Sequence, residues 1–391
     1  FIENRRRIYV SDKMPTATMK ILLLTTALLG ASSFNARMPA SKLQQVHRGS
    51  GSNNVNDLLS VTKSTSLNSA VSTSGGSTPD EGKSMAETLK VGGYFALWYI
   101  LNIGYNIYNK KALNIVNLPW TIATLQLFAG IPYVFFLWTT GLRKKPILTT
   151  ENVQNLAPSA ICHLGTHVGA VLSLGAGAVS FTHIVKASEP VVSALLSAVF
   201  LKEFLPIPVY LSLLPVIGGV GLASLKELSF SWLAFSTAML SNVASASRAI
   251  LSKTVLSGKP MGENLTAQNL YAVLTILAFV MLLPMSLCVE TPMKIKAVVD
   301  AAISGGTPMG ELAMVSALSG VFYYLYNEVA FLALNAVAPV THAVGNTIKR
   351  VVIILASVIV FRNPMTNLGA AGSAIAIFGT LLYSLAKNKF K

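Results

Sequence analysis

Residues 336–361 read AVAPVTHAVGNTIKRVVIILASVIVF. Lys349 and Arg350 stand side by side in the middle of this apolar run. On insertion scales each cation at the centre of a bilayer costs roughly 2.5–3.5 kcal/mol, and two neighbours on one spanning helix double that penalty. No acid on the same run offsets them. An anionic ligand would, and a phosphate suits a lysine ammonium next to the planar fork of an arginine.

The rest of the chain is consistent with a bilayer. Of 391 residues, 52% are hydrophobic and 12% charged, about half the charged share of a soluble domain. The formal net charge is +15. Much of it lies in an N-terminal tail, in loops and at the C-terminus, where targeting and membrane topology account for it without nucleic acid. Two cysteines, Cys162 and Cys288, exclude a disulfide scaffold and give no metal spacing. Both are expected to pack as small apolar residues. No Walker A loop, G-x-S-x-G elbow or H-E-x-x-H pair occurs, so no enzyme, cofactor or metal is expected.

Residues 1–90 read as an address and a linker. After Met19 and Lys20 come ILLLTTALL and then GASSF, the pattern of a signal peptide with small residues at its cleavage site. The apolar stretch is too short to span a bilayer. From Asn35 to about Gly76 the chain is rich in Ser, Thr and Asn, with Asp57 as its one acid. That composition is transit-peptide-like and too polar to fold. The pairing resembles the two-part leaders of algae with complex plastids, and ASSF at 31–34 resembles their cleavage motif.

From Leu89 onward, apolar segments recur at spanning length. The expected spans are 91–112, 118–140, 152–176, 179–201, 206–225, 229–252, 267–288, 311–335, 338–361 and 365–387. They make an all-α membrane protein of ten transmembrane helices over 91–387, surrounded by membrane lipid, with a basic tail at 388–391. The longest loop is expected at about 289–310. An even number of spans puts both termini on one side. Loop cations on that side, Arg143, Lys144 and Lys145 among them, exceed those opposite, which include Lys110 and Lys111. Span four begins VSFTHIVK and span nine APVTHAVGNTIKR; both place Thr-His shortly before a buried cation. Five plus five spans with corresponding ionic helices is the pattern of an inverted-repeat transporter.

The ionisable residues inside the spans are few. Lys186 has Glu189 three residues on, so it is either half of a helical i,i+3 ion pair or a ligand cation; its correspondence to Lys349 and Arg350 favours the second. Arg248 either snorkels to the interface from near the end of span six or reaches a ligand. His167 sits inside a G-x-x-x-G formed by Gly165 and Gly169, which argues for close helix packing. His183 and His342 are expected to make structural hydrogen bonds. Tyr323 and Tyr324 read as core, and Tyr326 as core or site.

Residues 90–387 resemble the plastid phosphate translocators of the drug/metabolite transporter superfamily. The resemblance rests on VSFTHIVKASEP at 179–190, LSFSWLAF at 228–235, SRAILSK at 247–253 and APVTHAVGNTIKR at 338–350. It implies a ten-helix antiporter in the inner plastid envelope that exchanges inorganic phosphate for a phosphorylated sugar or three-carbon acid. It implies Lys186, Lys349 and Arg350 on the phosphate group, and His167, Arg248 and Tyr326 around the rest of the substrate. His342 and His167 are similar to the triose-phosphate branch, which implies triose phosphate or 3-phosphoglycerate as counter-substrate. Ala170, where that branch carries a hydroxyl, and the THIVKASEP stretch lean toward pentose or hexose phosphate. Phosphoenolpyruvate and nucleotide sugars are the remaining alternatives. Glu328 stands where the family usually has Gln.

Overall fold

The computed structural model describes residues 81–225, 230–256, 262–337, 339–362 and 365–390. Of the leader and linker expected over 1–90, residues 1–80 lie outside these residues, and residues 81–90 belong to the first helix. Among the described residues are thirteen α-helices and no strand. They are α1 (Glu81–Ile115), α2 (Pro119–Thr139), α3 (Thr150–Ala176), α4 (Val179–Lys186), α5 (Glu189–Leu196), α6 (Ile207–Leu211), α7 (Leu214–Leu225), α8 (Trp232–Leu256), α9 (Ala267–Val289), α10 (Pro292–Ser304), α11 (Met309–Ala336), α12 (Pro339–Phe361) and α13 (Asn367–Lys389).

Among the described residues, seven stretches are long and apolar enough to cross a membrane: Pro119–Thr139, Thr150–Ala176, Val179–Phe200, Ile207–Leu225, Ala267–Val289, Thr341–Phe361 and Asn367–Lys389. The other three expected spans fall on α1, α8 and α11. These helices are less apolar because their inner faces carry buried polar groups: Asn102, Asn106 and Asn109 on α1, Ser241 and Asn242 on α8, Ser319 and Glu328 on α11.

Local chemistry sets the helix ends. α3, α9, α10 and α13 each begin after a threonine, Thr149, Thr266, Thr291 and Thr366. Each side chain accepts from the backbone N–H three residues on, which satisfies one orphan donor of the first turn. The start of α2 is capped from a distance. Glu290, buried after α9, accepts from Trp120 N at 3.2 Å and Thr121 N at 2.7 Å. A carboxylate is favourable at a helix N-terminus.

Span four is not one continuous α-helix. α4 stops at Lys186 and α5 starts at Glu189, with Pro190 at its beginning. Proline lacks the N–H that would continue the ladder. A π-helical turn, Ser197–Leu201, then ends at Lys202 with φ 54°. Span nine ends similarly, at Arg362 with φ 50°. Span five is divided into α6 and α7. The loop expected at 289–310 contains α10, whose exposed Lys296 and Asp300 form an i,i+4 ion pair.

The main packing partners are α1 with α11, α3 with α8, and α7 with α13; α2 packs on α9 and α11, and α9 on α3. The close G-x-x-x-G packing expected around His167 is present: a Cβ at Gly169 would lie 2.8 Å from Thr237 O of α8, and one at Gly165 3.2 Å from the Ala244 Cβ. Gly219 on α7 and Gly372 on α13 meet backbone to backbone in the same way. The largest apolar core joins α1, α2, α3 and α11 through residues such as Trp98, Leu101, Leu127, Leu174 and Phe322.

Three expectations are corrected. Arg143, counted as a loop cation, is buried and forms an ion pair with Glu328 of α11. Its guanidinium therefore does not act as a solvated topology signal. Lys110 is not a loop residue: it lies on α1 and its Nζ donates to Leu174 O and Gly177 O, both at 2.8 Å, closing the C-terminal end of α3. Cys288 is exposed and Cys162 half-buried, so neither is a fully packed core residue.

Candidate functional site

The interior of the bundle gathers the cations that the sequence singles out. Lys186 ends α4, and its Nζ donates to Ser241 Oγ on α8 at 2.7 Å. Glu189 begins α5. Its carboxylate accepts from Arg350 Nη2 on α12 at 3.0 Å and from the Ser245 hydroxyl on α8. The i,i+3 pair between Lys186 and Glu189 is not formed, because the break at Ala187 and Ser188 removes the helical register that pair needs. Glu189 still lies within electrostatic reach of Lys186, Arg350 and Arg248. The sequence expectation that Lys349 and Arg350 lack any protein acid holds for α12 but fails in three dimensions, since Glu189 is supplied by another helix.

Lys349 has no carboxylate at ion-pair distance among the described residues. Its ammonium lies 4.6 Å from the ring centroid of Trp98 on α1, a cation–π contact worth about 2 kcal/mol when desolvated. Trp98 in turn stacks on His342, with centroids 5.1 Å apart. Tyr99 donates to Gly345 O at 2.7 Å and fastens α1 to α12 one turn before Lys349. His183 makes the structural bond expected of it, Nε2 to Asn106 Oδ1 at 2.8 Å.

On the other side of the cluster, Arg248 Nη1 meets His163 Nδ1 at 3.0 Å. Arg248 is thus engaged inside the bundle through its guanidinium. His167 Nε2 contacts Ala123 O at 3.1 Å, and its ring lies 4.1 Å from that of Tyr323. Tyr326 packs against Tyr105 at 5.2 Å and Tyr323 at 5.8 Å, and feels the charge of Arg248. Of the six residues selected from the sequence, Arg350 pairs with Glu189, Lys186 binds Ser241, Lys349 stacks on Trp98, Arg248 meets His163, and His167 and Tyr326 share Tyr323. Tyr323 and Tyr324 are buried as expected.

Four of the contacting residues were not selected from sequence: His163, Ser241, Ser245 and Trp98. Helical spacing held a signal for three of them. Ser241, Ser245 and Arg248 are four and then three residues apart on α8, and His163 lies four before His167 on α3, spacings that share a helix face. Trp98 had no such signal.

Charge dominates the chemistry. Lys186, Lys349, Arg350 and Arg248 oppose the single carboxylate of Glu189. Hydroxyls, imidazoles and tyrosines surround them, and no group of three or more His, Cys, Asp or Glu residues able to hold a metal occurs among the described residues.

Membrane-length apolar helices enclosing such an anion-attracting interior define a class: a membrane transport protein. The chain belongs to the Triose-phosphate Transporter family, whose sequence model matches residues 89–384. Its relatives include three chloroplast proteins. It is 43% identical over 310 residues to glucose-6-phosphate/phosphate translocator 2 of Arabidopsis thaliana, covering 79% of this chain and 78% of that protein. It is 43% identical over 306 residues to the Arabidopsis thaliana xylulose 5-phosphate/phosphate translocator, covering 78% and 72%. It is 41% identical over 305 residues to the triose phosphate/phosphate translocator of Spinacia oleracea, covering 78% and 73%.

Proposed function

We propose that the protein is an antiporter that exchanges inorganic phosphate for triose phosphate or 3-phosphoglycerate across the inner envelope membrane of a plastid, one of the complex algal type. The observation that carries the reading is the excess of positive charge around Glu189. Arg350 pairs with it, Lys186 lies within its electrostatic reach and donates to Ser241, Lys349 is held on an aromatic ring, and one carboxylate does not balance them. A phosphate dianion supplies the missing charge, and its oxygens suit a guanidinium fork and two ammonium groups. Arg248 and Tyr326 provide donors, and His167 an imidazole, for the other end of a short substrate. The relatives named above, all phosphate translocators, support the phosphate part.

The proposed architecture is ten spans in a five-plus-five inverted repeat. Its support is the packing pattern. Exchanging each span with the one five places away turns the pair α3–α8 into α11–α1, turns α2–α11 into α9–α3, and leaves α7–α13 and α2–α9 unchanged. Lys202 and Arg362, the left-handed residues that end spans four and nine, also correspond.

A second reading, pentose or hexose phosphate as the counter-substrate, is favoured by Ala170 and by relatives that carry those names at equal or higher identity. Reconstitution in liposomes preloaded with phosphate separates the two. Dihydroxyacetone phosphate and 3-phosphoglycerate should inhibit phosphate exchange at lower concentration than glucose 6-phosphate, xylulose 5-phosphate or phosphoenolpyruvate. A sugar phosphate as the strongest competitor would reverse the substrate assignment and leave phosphate exchange standing. Transport of nucleotide sugars without phosphate exchange would overturn both.

A further inference from the structure

We infer that His163 is a positioning residue for substrate selection, holding Arg248 toward the end of the organic substrate that carries no phosphate. The inference rests on the exchange function proposed above. His163 lies on α3, 3% exposed, and Arg248 on α8. A guanidinium has only donors, so at the 3.0 Å contact His163 Nδ1 must be the acceptor. The ring is therefore neutral, with its proton on Nε2.

Glu189 is an alternative acceptor to His163 for Arg248. Glu189 is within its electrostatic reach but is already occupied by Arg350 and Ser245. If Arg248 turned to Glu189, four cations would share one carboxylate at the phosphate end. The bond to His163 instead keeps the guanidinium next to the tyrosines: Tyr271, Tyr323 and Tyr326 all feel its charge. His163 is itself fixed there, with its ring edge-on to Tyr271 at 5.6 Å and 85°. A long arginine side chain has many rotamers, and the imidazole acceptor selects the one that directs it to His163 rather than to Glu189.

The readout is the ratio of KM for 3-phosphoglycerate to KM for inorganic phosphate, measured on the full chain in liposomes. A purely structural role would change the two together. His163→Ala and His163→Gln should raise the ratio about tenfold, the scale of losing one charged hydrogen bond. His163→Asn should bring it back to within about twofold of wild type, because the amide oxygen of Asn falls near the position of Nδ1, whereas that of Gln falls near Nε2. If His163→Ala does not fold, the contrast between the Asn and Gln variants decides. An unchanged ratio in His163→Gln, or equal ratios for Asn and Gln, would overturn the inference. Wild-type protein that exchanges no phosphate would instead overturn the exchange function on which it rests.

Discussion

Glu189 on α5 and Arg350 on α12 are 161 residues apart in sequence and joined by a hydrogen-bonded ion pair of 3.0 Å. The pair links α5, which follows the Thr-His helix α4, to α12, which carries the corresponding Thr-His motif. It also means that the cationic cluster proposed to hold phosphate contains its own partial counter-ion. Breaking a buried pair by removing one partner is strongly destabilising, about 3–5 kcal/mol, because the other charge is left uncompensated. Glu189→Gln should therefore lower the melting temperature of the detergent-solubilised protein without phosphate. Added phosphate should raise it by a larger increment than in wild type. Equal melting temperatures for the two proteins in phosphate-free buffer would contradict this role.

Arg350 and Lys349 are expected to be indispensable in different ways. Lys349→Ala and Arg350→Ala should each abolish measurable exchange in liposomes, since removal of one charge-assisted contact costs roughly 1.5–3 kcal/mol and the fork and the ammonium are not interchangeable. Arg350→Lys should recover little, because a lysine keeps the charge but cannot hold two phosphate oxygens, nor Glu189, with a planar fork. Folded, inserted variants that transport at the wild-type rate would make these cations structural.

Exchange should be obligatory. An empty site carries Lys186, Lys349, Arg350 and Arg248 against Glu189 alone. Closing the bundle over that excess buries unpaired charge, which costs several kcal/mol per ion. Bound phosphate removes most of the cost, so the loaded carrier is the one that isomerises. Labelled phosphate should enter liposomes that contain no internal substrate only at background level. Uptake independent of internal phosphate would refute the electrostatic argument.

Arg143 and Glu328 form a second buried ion pair, between the end of α2 and the middle of α11, and neither is placed at the substrate. Arg143→Ala should destabilise the protein by about 3–5 kcal/mol. Glu328→Gln, which restores the residue usual in the resembled family, keeps an acceptor for the guanidinium and should cost less. Thermal unfolding of the two variants in detergent checks the order. A larger loss for Glu328→Gln than for Arg143→Ala would show that the charge on Glu328, not its geometry, is what Arg143 requires.

The first ninety residues are expected to direct import and to contribute nothing to transport. A chain starting near Glu87 should exchange phosphate in liposomes at the rate of the full chain. Loss of exchange by a correctly folded truncated protein would assign the leader a second role.

The sequence alone determined the helical membrane architecture, because apolar runs of spanning length and a low charge fraction allow few other structures. It also singled out most of the cations of the candidate site. Lys186, Arg248, Lys349 and Arg350 are conspicuous because a cation within an apolar run is costly, and that cost is legible residue by residue. Partners were not legible. That Arg350 answers to Glu189, Arg248 to His163, Lys349 to the face of Trp98 and Arg143 to Glu328 depends on which helices pack together, and each of these contacts bridges separate helices or a helix and a loop. Local spacing offered Lys186 as one partner for Glu189, whereas the hydrogen-bonded ion pair forms with Arg350 on another helix. Individual charges are written in the chain, whereas their compensation is a property of the packed bundle, since Coulomb energy in a low-dielectric interior depends on distances that only tertiary structure sets.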